Sequence, residues 1–113
     1  MNRSTVNTIE MKGACERLLA RLSDERDSGN SSVVFTAEAD SLCMQFGDSS
    51  ETIPAFVAQS GKESVQWLQF SGMAQTLRFY RKKKIEITVS DNELKIERMV
   101  FRPLTHEVLL GEQ

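Results

Sequence analysis

The segment Ile85-Glu86-Ile87-Thr88-Val89-Ser90-Asp91-Asn92-Glu93-Leu94-Lys95-Ile96 sets the frame for the whole chain. Apolar side chains fall at 85, 87 and 89, then at 94 and 96, the two-residue period of strands buried on one face. Ser90-Asp91-Asn92-Glu93 between them is a turn signal, so the two runs predict an antiparallel hairpin. A one-residue slip would bury Glu86, Thr88, Lys95 and Glu97, which specifies the register. A sheet with one apolar face needs a cover, and helices are the expected one.

Working upstream, a helix is expected from Ser71 as N-cap, with Met73, Leu77 and Tyr80 buried and Gln75, Arg78 and Lys82 facing out. Phe79 fits neither side. Residues 64–70 read as a strand entering that helix, after a turn at Gly61-Lys62. The cleanest helix is earlier: Cys15, Leu18, Leu19 and Leu22 fall at i, i+3, i+4 and i+7, with Arg17, Ala20, Arg21 and Asp24 opposite. Residues 6–11 read as a short strand leading into it. Residues 32–38 are β-branched and aromatic, Ala39-Asp40-Ser41 is a turn, and Leu42, Met44 and Phe46 alternate with polar neighbours. After a turn at 47–50, residues 51–58 form a strand interrupted by Pro54, hence an edge or a bulge. Residues 99–110 make a last strand weakened by Pro103. Residues 24–32 are polar throughout and read as an insert, 111–113 as a tail, and no internal repeat is visible. The order β-α-β-β-β-β-α-β-β-β predicts an α+β fold. Its two helices pack on one face of a largely antiparallel, curved sheet, in a single domain spanning 1–113 with its core at 6–102.

Composition narrows the function. The chain has 113 residues, 40% apolar and 27% charged, an ordinary mixture for one globular domain. No apolar run approaches the ~18 residues of a membrane span and the start lacks the apolar core of a signal peptide, so no membrane role and a cytoplasmic location are expected. Cys15 and Cys43 form no CxxC pair and His106 is the only histidine, which excludes an ordinary Cys/His zinc site. The six glycines make no phosphate-binding loop, and no acidic pair or His partner suggests general acid–base chemistry. No enzyme, no cofactor and no metal are expected. With 14 basic against 16 acidic residues the net charge is −2, so any nucleic-acid contact must rest on a local patch.

The spacing of apolar residues and turns resembles one repeat of the DNA sliding-clamp (processivity) fold, most like one domain of the bacterial DNA polymerase III beta clamp. Four stretches carry the likeness. They are Ile9-Glu10-Met11 with Cys15-Glu16-Arg17-Leu18-Leu19; Val34-Phe35-Thr36-Ala37-Glu38-Ala39-Asp40-Ser41-Leu42-Cys43-Met44; Gly61 with Ser64-Val65, Phe70 and Leu77; and Ile85-Glu86-Ile87 through Asp91-Asn92-Glu93-Leu94-Lys95-Ile96. The resemblance implies a scaffold: rings of six such domains, sheets outside, helices lining a pore for duplex DNA. Known clamps join two or three domains per chain, so a ring of this chain would need six copies. The family's partner-peptide pocket lies between domains, and no pocket residue carries over.

Within that frame the charges acquire candidate roles. Arg78, Arg81, Lys82, Lys83 and Lys84 lie within seven positions, interleaved with Phe79 and Tyr80. With Arg17 and Arg21 they are the candidate contacts to duplex DNA, touching phosphates without reading bases. The plainer alternative is that a basic run at a helix C-terminus offsets the helix dipole, by about 0.3–1 kcal/mol per charge. Self-assembly, or pairing with other clamp-like chains, is expected through open sheet edges, the candidates being the Pro54 strand, 33–38 and 99–110. The competing function is a protein-interaction adaptor that does not bind DNA and uses a sheet edge or the Trp67 region. Trp67 would then be a partner anchor; otherwise it belongs to the core.

Overall fold

The computed structural model describes residues 1–22 and 32–102. The insert before Ser32, the side chain of Leu22, Pro103, His106 and the tail at 111–113 lie outside the described residues. The elements run β1 (Asn2–Asn7), α1 (Thr8–Leu22), β2 (Ser32–Glu38), β3 (Ser41–Phe46), β4 (Ser49–Gln59), β5 (Gly61–Gln66), α2 (Trp67–Leu77), β6 (Lys84–Ser90), β7 (Glu93–Ile96) and β8 (Met99–Phe101). The strands form one eight-stranded sheet in the order β5-β2-β3-β4-β1-β6-β7-β8, every neighbouring pair antiparallel. Both helices cover the same face, so the α+β architecture stands as the alternation predicts.

Both helices begin one turn earlier than the sequence pattern suggests. Residues 9–11 are the first turn of α1, not a strand, because Asn7 caps it: its Oδ1 accepts the Glu10 N–H at 3.0 Å. α2 likewise starts at Trp67, with Gln66 as N-cap, and Ser71 lies inside it. Gln69 Oε1 accepts the Gln66 N–H at 2.8 Å, half of a capping box. Gly61-Lys62 opens β5; it is not a turn.

The structure also corrects the absence of a repeat. β1-α1-β2-β3-β4 and β5-α2-β6-β7-β8 are the same strand–helix–three-strand unit twice. The buried helix stripes match position for position: Met11, Ala14, Cys15 and Leu18 in α1, Phe70, Met73, Ala74 and Leu77 in α2. Val6 and Val65 end the preceding strands inside the core, and Gly13 and Gly72 share a place in the helices. Two of the tight turns repeat as well, with Gly47 (φ 56°) and Glu97 (φ 53°) both left-handed.

The core lies between the helices and the inward residues of the sheet, including Phe35, Leu42, Met44, Ile85, Ile87, Leu94 and Ile96, all fully buried. The predicted hairpin register is observed, with Val89 opposite Leu94 and Ile87 opposite Ile96. Phe35, Phe70, Trp67 and Phe46 form a chain of rings with centroids 6.2, 5.6 and 5.4 Å apart. Trp67 is therefore part of the core margin, on a helix and not on a strand.

Pro54 is not on an edge. Residues 49–54 of β4 pair with β3, and 55–59 pair with β1, so the proline sits where the long strand changes partners. Beyond it the Ala55 N–H donates to Asp40 O at 2.8 Å. β2 is interior too. Among the described residues the terminal strands are β5, which was not among the expected edges, and β8, which was.

Candidate nucleic-acid interface

The end of α2 is where the basic run sits. After Leu77 the helix tightens into successive i→i−3 bonds: Arg78 N–H to Gln75 O (3.3 Å), Phe79 N–H to Thr76 O (3.0 Å) and Tyr80 N–H to Leu77 O (3.1 Å). The chain then crosses to β6 through 81–83, held against the start of α1 by the Thr8 N–H on Lys83 O (2.9 Å). Lys12 Nζ donates to Arg78 O at 3.5 Å. The N-terminus of α1 and the C-terminus of α2 thus meet where β1 and β6 pair, Asn7 opposite Lys84.

Of the seven candidate cations, five are at this end and two are not. Arg78, Arg81, Lys83 and Lys84 are exposed and make no ion pair among the described residues. Lys82, expected on the outer face of α2, lies beyond the helix and pairs with Glu97 Oε1 at 3.0 Å. Three of the five border different hollows: Arg78 one with Lys12 and Glu16 of α1, Lys82 one with Tyr80 and Arg98, and Lys84 one with Asn7 and Phe56.

Arg17 and Arg21 lean toward the other flank of α1. Arg17 Nε donates to Glu51 Oε1 at 2.8 Å, Arg21 donates to Glu51 Oε2, and Arg21 Nη1 also reaches Ser50 O at 3.2 Å. Partial burial pulls the Glu51 carboxyl upward, but the two arginines outweigh it and hold it below its ordinary value. These two cations are already partnered, a role that charge spacing along one helix does not reveal. α2 itself contains no charged residue. Its outward face shows Leu68, Gln75 and, just past its end, Phe79 at 82% exposed, the barest large apolar side chain among the described residues.

Phe79, which the helical pattern left unplaced, borders a hollow of about 480 Å³ with Gly72, Gln75, Thr76, Tyr80 and Met99. Tyr80 is half-buried against the core as expected, though past the helix end. Cys15 is buried, and burial, reinforced by the Glu16 charge, pushes its thiol up to about 12. Cys43 is half-buried. Among the described residues no three His, Cys, Asp or Glu side chains converge as metal ligands, and no helix is long and apolar enough to cross a membrane.

No family model matches the sequence, and no curated protein matches it. Solved structures do. The chain is similar to the Caulobacter crescentus beta sliding clamp, with a TM-score of 0.70 at 17% identity over 88% of this chain and 28% of that one. It is similar to the DNA polymerase III beta subunit of Thermotoga maritima (0.70, 13% identity, 92% and 30%). A third is the sliding clamp of Bartonella birtlesii bound to griselimycin (0.71, 17% identity, 95% and 31%). The chain spans less than a third of the length of these proteins and has the fold of one domain of a bacterial DNA polymerase III beta sliding clamp.

Proposed function

We propose that the chain is a non-catalytic, clamp-type scaffold domain that assembles through its terminal strands and rests its basic end against duplex DNA without reading sequence. One observation carries this reading: a clamp-domain fold whose sheet, among the described residues, ends in β5 and β8, with four exposed cations, Arg78, Arg81, Lys83 and Lys84, that make no ion pair among those residues. Terminal strands with no outer partner among the described residues favour edge pairing, with another copy or with other clamp-like chains. Unpaired cations favour phosphate contacts whose affinity falls steeply with salt. Arg17, Arg21 and Lys82 contribute less, because each first has to leave a carboxylate.

The test has two readouts. Light scattering gives the solution mass, and fluorescence anisotropy follows a labelled duplex at low salt. Assembly above a monomer, with duplex binding weakened in Arg78→Glu/Lys83→Glu, is the expected result. A monomer indifferent to duplex rejects it in favour of the adaptor, a reading that has its own support in the uncharged α2 and the exposed Ile9 and Leu68 on the helix layer.

A further inference from the structure

We propose that Phe79 is a stacking platform for an unpaired base, so that the basic end of α2 also holds single-stranded nucleic acid, through a contact that duplex cannot make. The inference rests on the nucleic-acid reading above and extends it to a second ligand. Phe79 is 82% exposed, the barest large apolar side chain among the described residues, and in the sequence it lies between two exposed arginines, Arg78 and Arg81.

Charge complementarity selects the occupant. The exposed cations one and two residues from Phe79 in the sequence favour a polyanion, and the ring offers a flat apolar face to a base of that same polyanion. A base exposed on a single strand supplies both; in duplex the base faces are sealed in the stack and only phosphates reach the ridge. The hollow beside Phe79 fits such a base. Tyr80 and Met99 supply apolar wall, and the exposed Gln75 amide makes no side-chain hydrogen bond among the described residues. Thr76 Oγ1 donates to Gly72 O at 2.9 Å. An amide that both donates and accepts serves any base edge, so binding is tolerant of sequence.

The experiment compares anisotropy titrations of a labelled oligothymidylate and a duplex of equal length against the intact chain, Phe79→Ala, Phe79→Trp and Arg78→Glu/Arg81→Glu. Phe79→Ala is expected to weaken the single strand about tenfold without changing its salt slope, because stacking is not a counterion effect. Duplex affinity stays within about twofold, and Phe79→Trp keeps or tightens the single strand. The double arginine reversal weakens both ligands and flattens the salt slope. Phe79 is bare, so thermal melts of both Phe79 variants should match the parent.

If Phe79→Ala leaves the single strand unaffected while the arginine reversal removes it, the platform is rejected and the phosphate contacts stand. If neither oligonucleotide binds, DNA contact and platform fall together. If Phe79→Ala instead changes only the solution mass, the ring belongs to a protein interface and the inference is overturned.

Discussion

Replacing Gln69 should loosen three elements at once. Its side chain is 3% exposed, and its amide is fully used. Nε2 donates to Asn92 O and to Phe101 O, both at 2.7 Å, while Oε1 accepts the Gln66 N–H. One buried amide thus ties the start of α2 to the β6–β7 turn and to the terminal strand β8. In Gln69→Leu all three partners lose their bond. Asn92 is exposed, so its carbonyl recovers a water; Phe101 O and the Gln66 N–H are half-buried and recover less. Counting about 1 kcal/mol per bond, and up to about 3 for a buried group left bare, gives a loss of about 2–4 kcal/mol. That is a large share of the stability of a domain this size.

Gln69→Glu separates hydrogen bonding from packing. A carboxylate can still accept the Gln66 N–H, but it faces two carbonyl oxygens it cannot satisfy. Its proton is therefore held more tightly in the folded state than at the ordinary value of ~4.3. The sign follows: the protonated variant donates again below that value, and its stability is lost as pH rises through the raised folded value. Urea titrations followed by Trp67, the only tryptophan and packed 5.4 Å from Phe46, report the midpoint directly. A Gln69→Leu cost below about 1 kcal/mol, or a Gln69→Glu loss that does not vary with pH, would refute this reasoning.

Further expectations follow from the same contacts. In Glu51→Gln the acid limb of the stability–pH curve should flatten: the Glu51 carboxyl lies below its ordinary value in the fold, so its contribution is present above that value and lost on acidification. The stability change at neutral pH is at most about 1 kcal/mol because both arginines are largely exposed, and the freed Arg17 and Arg21 should raise duplex affinity in anisotropy. Cys15, buried with its thiol pushed up to about 12, should resist a thiol reagent in the native protein while Cys43 labels first; early labelling at Cys15 contradicts the packing. Ala39 sits at φ 53°, where Asn is better tolerated, so Ala39→Asn should raise the unfolding free energy from urea titration by about 0.5–1 kcal/mol.

Two-residue alternation was enough to place β2, β3, β6 and β7, because each has one face against apolar neighbours and one in water. It could not place the helix starts. Ile9 and Leu68 stand in strand-like stretches yet are exposed on the first turns of the helices, and the capping amides of Asn7 and Gln69 decide the matter. The repeat escaped notice because it is conserved as burial, not identity: Met11 answers Phe70, and Cys15 answers Ala74. Pro54 misled for a related reason. A proline lacks an N–H, but at the point where β4 leaves β3 for β1 no ladder bond is required of it. For the candidate site, the basic run was legible as a run; its division among different hollows was not, and the capture of Arg17 and Arg21 by Glu51 depends on β4, far along the chain.

The basic run still needs a reason, and the structure narrows the choices. Dipole compensation acts within the last helical turn, and α2 ends at Leu77, so it accounts for Arg78 alone. Lys82 has Glu97. Arg81 and Lys83 are exposed, beyond the helix, and held by no carboxylate among the described residues, so neither side chain makes an ion pair that would account for it, the one fold contact being the backbone carbonyl of Lys83 on the Thr8 N–H. Like charges crowded this way repel one another at a small cost in stability, which only an external anion offsets. Arg81→Ser/Lys83→Ser should therefore leave the unfolding free energy from urea titration within about 0.5 kcal/mol of the parent, or raise it slightly. The same variant should bind duplex more weakly and lose about two from the slope of log affinity against log salt. A loss of stability without a change in that slope would return these residues to the fold and leave the DNA contact without its carriers.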